Sequence, residues 1–227
     1  MVITRGVRTR LPDMEILGFA AGPYKTNCYV IVGDGEVAVI DPGMHAHDDL
    51  VEYITNNKLK LDKIVLTHGH IDHTRDAGTL ARRFNAPVYL HPDDVFFLEA
   101  YKGSGTQTAM LFDADNMVSP ESTEDLLGGG TITLAGEEFT LHHAPGHSPG
   151  CVVLVGEEYC FSGDVLFKGS IGRTDFEFSD EEAMNRSLRT VILELDDSLQ
   201  ILPGHGPTTT MRAERMSNPF LRALRPN

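Results

Sequence analysis

Cysteine is scarce in this chain, and Cys28, Cys151 and Cys160 form an odd, widely spaced set. No short paired spacing joins them, so the sequence carries no disulfide framework. Each lies in an apolar, strand-like stretch, the setting of a buried free thiol. Basic residues are also few. The 19 lysines and arginines face 33 acidic residues, a formal net charge of −14, which argues against general nucleic-acid binding. Several arginines cluster near the ends (Arg5, Arg8, Arg10, then Arg212, Arg215, Arg222, Arg225) and read as solvated terminal segments. Long hydrophobic runs are missing. The opening MVITRGVRTRLPDM has no apolar core of signal-peptide length, and no run reaches membrane-spanning length. The expectation is a cytoplasmic protein without a membrane partner. No internal stretch has the composition of a linker. A chain of 227 residues can bury a large core as one unit, so residues 1–227 are expected to form a single domain.

What is present is concentrated chemistry. The stretch THGHIDH, Thr67 to His73, places three histidines and an aspartate directly after the apolar run Ile64-Val65-Leu66. Such a run reads as a buried strand, so the polar cluster leaves the strand's end. Residues two apart in an extended loop point the same way, and His68 and His70 can therefore aim at one point. Asp72 and His73, beyond a turn, can aim at a second. Imidazole and carboxylate are ligand types of zinc and iron(II), and two convergent pairs point to two metals. Three further residues share this strand-end context: His147 in HHAPGHSPG, Asp164 after YCFSG, and His205 in ILPGHGP.

The remaining pattern alternates strands and helices. EILGFAA, NCYVIVG and EVAVIDPG read as strands with glycine-containing turns. Leu50, Val51 and Ile54 begin a helical pattern, and Ala77, Leu80, Ala81 and Phe84 recur at helical spacing, with Arg75, Arg82 and Arg83 on the solvated side. VYLHP reads as a short strand and DDVFFLEAY as a short helix. TITLAG, EFTLHH, CVVLVG and EYCFSG form a second set of strands. Ser179 and Glu182 read as a capping box opening a helix that carries Met184, Leu188, Val191, Ile192 and Leu195, and LQILPG is the last strand.

HGHIDH, then GH, GD and GH in that order, resembles the metallo-β-lactamase superfamily. The variety it looks like is glyoxalase II (hydroxyacylglutathione hydrolase) and its short single-domain bacterial relatives. The resemblance runs from GPYKTNCYVI to NPFL, nearly the whole chain. It implies a four-layer αββα sandwich of the α/β class, with two mixed sheets face to face and helices outside. It implies that His68, His70 and His147 hold one metal, that Asp72, His73 and His205 hold the other, and that Asp164 bridges them. The metals are expected to be two divalent cations, zinc first, with iron or manganese as other occupants. Asp72 is expected to be indispensable to catalysis as a ligand of the second ion. The implied reaction is hydrolysis of a small-molecule thioester such as S-lactoylglutathione by a metal-bridging hydroxide. True β-lactamases of this fold carry Cys or a non-bridging residue at the position of Asp164, so antibiotic hydrolysis is disfavoured. The alternative is a persulfide dioxygenase, which keeps most of these ligands around one iron. A lactonase of acyl-homoserine lactones and RNA-processing nucleases are weaker matches.

Other positions carry more than one reading. Arg173 matches a basic residue of glyoxalase II and is assigned to substrate binding, whereas Lys168 is not. Asp175 stands where that family has a glutathione-contacting tyrosine, and the chain ends at Asn227 without the family's C-terminal glutathione-binding extension. Asp41 in VIDPG either orients a metal-bound histidine or forms a turn before proline. Tyr101 to Met117 is either a loop over the site or a surface connection. His45, His47, His91 and His142 are assigned to loops or surface, and His143 to packing.

Overall fold

The computed structural model describes residues 8–10, 14–99 and 105–224. The first sheet has seven strands in sequence order: β1 (Arg8–Arg10), β2 (Met14–Ala21), β3 (Thr26–Gly33), β4 (Glu36–Ile40), β5 (Lys60–Val65), β6 (Val88–Leu90) and β7 (Glu124–Asp125). Neighbours from β1 to β4 are antiparallel, and β4 to β7 pair in parallel. The second sheet begins with the antiparallel run β8 (Thr131–Leu134), β9 (Glu137–His143), β10 (Val152–Val155) and β11 (Tyr159–Gly163). A separate hairpin follows, β12 (Leu166–Phe167) with β13 (Ser170–Ile171). Then β14 (Gln200–Pro203) pairs in parallel with β11, and β15 (Thr209–Thr210) folds back on β14. LQILPG is therefore not the last strand; a two-residue edge strand succeeds it.

Side-chain alternation along the strands builds the layers. Ile16, Tyr29, Ile31, Ala38 and Ile40 face the second sheet and pack with Leu134, Phe139, Leu141, Leu154 and Phe161. The other face of the first sheet, with Leu17, Val30, Val37 and Val39, packs on α1 (His47–Asn56) and α3 (Ala77–Phe84) through Leu50, Ile54, Ala77 and Leu80. The other face of the second sheet, with Val153, Cys160 and Ile201, packs on α5 (Glu181–Thr190), α6 (Met211–Ser217) and α7 (Pro219–Ala223) through Met184, Leu188, Met211 and Leu221. This is the four-layer α/β sandwich, with both sheets mixed. All three cysteines are buried and unpaired. No described helix is long and apolar enough to cross a membrane.

Several local expectations change. Arg75 is buried: its guanidinium donates to the carbonyls of Phe112 and Asp113, because the segment after α3 folds back over it. Arg82 and Arg83 are exposed as expected. Ser179 does not cap α5. Asp180 accepts from Ala183 N, and Ser179 Oγ donates instead to the carbonyl of His147. Arg215 is only part-exposed, bonded to Asp197 and to the carbonyls of Leu193 and Leu195; Arg212 and Arg222 are solvated. Arg5, Arg225 and the side chains of Arg8 and Arg10 lie outside the described residues. So does the start of the 101–117 stretch; its described part contains α4 (Thr106–Leu111).

Candidate metal centre

All the clustered side chains stand at one end of the sandwich, where parallel strands of both sheets finish. After β5 the backbone runs through Thr67–His70 into the single turn α2 (Ile71–Thr74). His68 Nε2 lies 3.1 Å from His70 Nδ1, which lies 2.9 Å from His147 Nε2. His147 comes from the β9–β10 connection. The second group forms where α2 meets the loop after β14. His205 Nε2 lies 3.3 Å from His73 Nε2 and 3.1 Å from Asp72 Oδ2.

Asp164, just beyond β11, stands between the two groups. Its Oδ2 is 3.4 Å from His147 Nε2 and 3.5 Å from His205 Nε2, and its Oδ1 is 3.4 Å from His73 Nε2. The ligand-type atoms of His68, His70 and His147, and those of Asp72, His73 and His205, each lie within 4.8 Å of one another.

The protons on these rings decide what the cluster can hold. Thr67 Oγ1 donates to Asp41 Oδ2, leaving its oxygen to accept from His68 Nδ1. His73 Nδ1 donates to Asp41 Oδ2, His147 Nδ1 to the carbonyl of Arg173, and His205 Nδ1 to the carbonyl of Tyr24. Four imidazoles are thereby held with Nε2 lone pairs turned inward, the orientation of metal-ligating histidine. Asp164 Oδ1 is buried without a hydrogen-bond partner. Converging lone pairs and an orphaned carboxylate oxygen fit divalent cations.

The electrostatics agree. Burial, then neighbouring imidazoles, push His68 well below its ordinary value, and the same causes bring His70 down to about 3. Burial alone would raise Asp164, yet His73, with His205 and His147, brings it down to about 2. Burial would lower His73, but Asp72, Asp164 and Asp41 together hold it well above the histidine range. Without a cation, a proton on His73 supplies the positive charge these carboxylates attract.

Close backbone approach completes the site. A Cβ on Gly204 would lie 2.2 Å from Asp164 Oδ1 and 2.7 Å from His73 Cε1, so only glycine lets the chain pass before His205. Asn27 Nδ2 and Tyr29 Oη both donate to the carbonyl of Pro203, clasping that loop from β3.

Asp41 orients histidine as well as forming a turn, since it accepts from Thr67 N at φ +51° while bonding His73. Sequence reasoning missed Asp94. Fully buried in the 3₁₀ segment Pro92–Leu98, it accepts from Gly69 N at 2.8 Å, Ser148 Oγ at 2.6 Å and Gly150 N at 2.6 Å. It thus ties the His68–His70 loop to the His147 loop. Its acidic neighbour Asp93 in HPDD disguised it as a second helix-start carboxylate. His91 lies in the loop after β6, within the loop-or-surface expectation, and is buried there, stacked on His143 with ring centroids 4.1 Å apart; His143 packs as expected. His45 is exposed, and His47 and His142 are half-buried.

A cavity of about 470 Å³ opens over the cluster, lined by Tyr24, Ile71, Thr108, Phe167, Arg173 and Phe176 together with five of the clustered residues. The described part of the 101–117 stretch thus reaches the site through Gly105 and Thr108. Tyr24 had no sequence signal. Arg173 lines the cavity, but its Nε and Nη2 both bond Asp175, each at 2.8 Å. Lys168 is exposed and does not line it.

Known proteins are similar to this chain in sequence and in fold. The profile described as "Metallo-beta-lactamase superfamily" matches residues 21–210. The Haemophilus influenzae protein named hydroxyacylglutathione hydrolase GloC is 36% identical, over 92% of this chain and 98% of its own. The crystal structure of BLEG-1 B3 metallo-beta-lactamase superposes with a TM-score of 0.80 at 34% identity, covering 91% of this chain and 99% of that one. A protein crystallised in a di-iron-bound form gives 0.75 at 33% identity, covering 90% and 99%. With its fold, its clustered ligand-type side chains and a profile match over most of its length, this chain belongs to the metallo-β-lactamase superfamily.

Proposed function

We propose that this protein is a binuclear metallohydrolase that cleaves a thioester, accepting S-lactoylglutathione without preferring it. The observation that carries the reading is the meeting of two ligand triads on either side of one carboxylate, Asp164. In this assignment His68, His70 and His147 hold one ion, Asp72, His73 and His205 the other, and Asp164 both. Zinc is the first choice; the di-iron relative supports iron as an alternative. Such ions would polarise a carbonyl and acidify a water.

The chain's own residues do the positioning. Asp41 holds His73 by its ring proton and His68 through Thr67. Thr26 Oγ1 donates to Asp72 Oδ2 at 2.9 Å, steadying that carboxylate. Outside the cluster, the ionisable groups that line the cavity among the described residues are Arg173 and Tyr24. A thiol with a pKa of about 8.5 leaves as thiolate, so a thioester asks for no dedicated side-chain acid. The proposal includes a small-molecule partner, no nucleic acid or membrane, and a cytoplasmic setting.

One preparation should be assayed for thiol release from S-lactoylglutathione, ring opening of a β-lactam, and oxygen uptake with glutathione persulfide. Thiol release well above both other activities is expected. The GloC relative motivates the first substrate and the BLEG-1 neighbour the second. Oxygen uptake without thioester cleavage, in protein carrying a single iron, would overturn the reading in favour of a dioxygenase.

A further inference from the structure

The wall beside the ligand cluster is aromatic, and the one positive side chain that lines it outside the cluster, among the described residues, is paired with an acid. Arg173 is its one described cation, and the Nε–Nη2 edge of that guanidinium is already taken by Asp175. The same guanidinium lies over the Phe176 ring, 4.5 Å from its centroid. Phe176 in turn meets the rings of His70 and His147 edge-on at 5.8 and 5.7 Å. Arg173 therefore braces an aromatic ring against the first histidine triad and has its charge answered in place. Tyr24 and Phe167 add two more rings, and Ile71 an aliphatic surface. Tyr24 is itself braced, edge-on to Phe112 at 4.9 Å, with its hydroxyl bonded to Thr108.

We infer that this subsite takes an uncharged, flat or apolar arm of the thioester, and that the Arg173–Asp175 pair disfavours an anionic one. The inference rests on the thioester reading for the reacting group, but the subsite binds its arm whether or not the bond is cleaved. An arm bearing carboxylates meets a guanidinium whose charge is already answered on one edge, with the negative charge of Asp175 beside it. An apolar arm meets rings that already stand in place and loses little freedom on binding.

Calorimetry on the metal-loaded protein with two non-hydrolysable thioethers tests this. N-acetyl-S-benzylcysteamine and S-benzylglutathione carry the same benzyl group, and only the second carries the charged tripeptide. The neutral compound is expected to bind more tightly, by about fivefold or more. Asp175→Asn, which keeps the side chain's shape and removes its charge, should improve binding of S-benzylglutathione by about fivefold and leave the neutral compound within about twofold. Phe176→Ala should weaken both. Tighter binding of S-benzylglutathione by the unaltered protein, an unchanged ratio in Asp175→Asn, or no binding of either compound would each overturn the inference. If the neutral thioether binds as expected while no thioester is hydrolysed, the hydrolase reading fails and the subsite assignment stands.

Discussion

Replacing Asp94 by Asn separates positioning from ligation, because Asp94 belongs to neither triad. Its two oxygens accept from three donors on two loops, Gly69 N and Ser148 Oγ on one oxygen and Gly150 N on the other. An amide has a single acceptor oxygen. In either orientation its NH₂ faces a backbone N–H, that of Gly69 or that of Gly150. One buried donor is then unpaired, at about 1–3 kcal/mol, and the surviving bonds lose their charge assistance. A total of about 2–4 kcal/mol corresponds to a fall of roughly 4–16 °C in Tm for a chain of this size. The loosened loops carry His68, His70 and His147, so metal affinity at the first triad should fall about 10–100-fold. Thermal scanning with and without added metal reads the first effect, and competition with a chromogenic chelator reads the second. Ser148→Ala is the milder control, since it removes one donor and leaves both backbone bonds. An Asp94→Asn protein with unchanged Tm and unchanged metal affinity would refute the argument that this carboxylate fixes the two histidine loops.

Three other outcomes follow from the same geometry. In chelator-stripped protein the raised His73 favours the protonated folded state; its contribution is full below the ordinary value of 6.5 and is lost as pH rises toward its folded value, so the stripped protein should lose Tm above pH 6.5. The depressed Asp72 and Asp164 act oppositely, contributing above the ordinary 3.8 and failing only in strong acid; metal binding should flatten the alkaline loss, and a metal-independent pH profile would contradict this. Gly204→Ala places a methyl 2.2 Å from Asp164 Oδ1 and should cost about 1–3 kcal/mol of stability together with bound metal; retention of full metal content would show that the loop has room. Asp72→Ala should leave the fold intact but reduce thioester turnover by at least about 100-fold, and near-normal turnover would remove Asp72 from the reaction.

The sandwich and its cluster were legible because their signals are local. A buried apolar run followed at once by HGHIDH places the histidines at a strand end whatever else the chain does. The helical spacing of Leu50–Ile54 and Ala77–Phe84 marked α1 and α3 for the same reason. What escaped depends on contacts between distant segments. Asp94 acts only because Gly69 and Ser148, 25 and 54 positions away, fold against it. Arg75 looks solvated until residues 112 and 113 supply carbonyls, and His91 reads as an ordinary loop residue until His143 from the second sheet stacks on it. The capping error was local in a different way: Asp180 stood beside Ser179, and the serine hydroxyl found the His147 carbonyl instead. Arg173 is assigned to substrate binding by its match to a basic residue of glyoxalase II, but nothing in the sequence shows that Asp175, two residues on, occupies its fork.

Metal stoichiometry tests the central claim most directly. In the proposed site two ions would lie between seven side chains that converge on one point, one ion in each triad, with Asp164 between the triads. Elemental analysis of protein purified without added metal and then dialysed against one divalent cation should give two equivalents per chain in the unaltered protein. Asp164→Ala should retain at most one. A single equivalent in the unaltered protein, or two equivalents that persist in Asp164→Ala, would contradict the two-metal site on which the proposed hydrolysis depends.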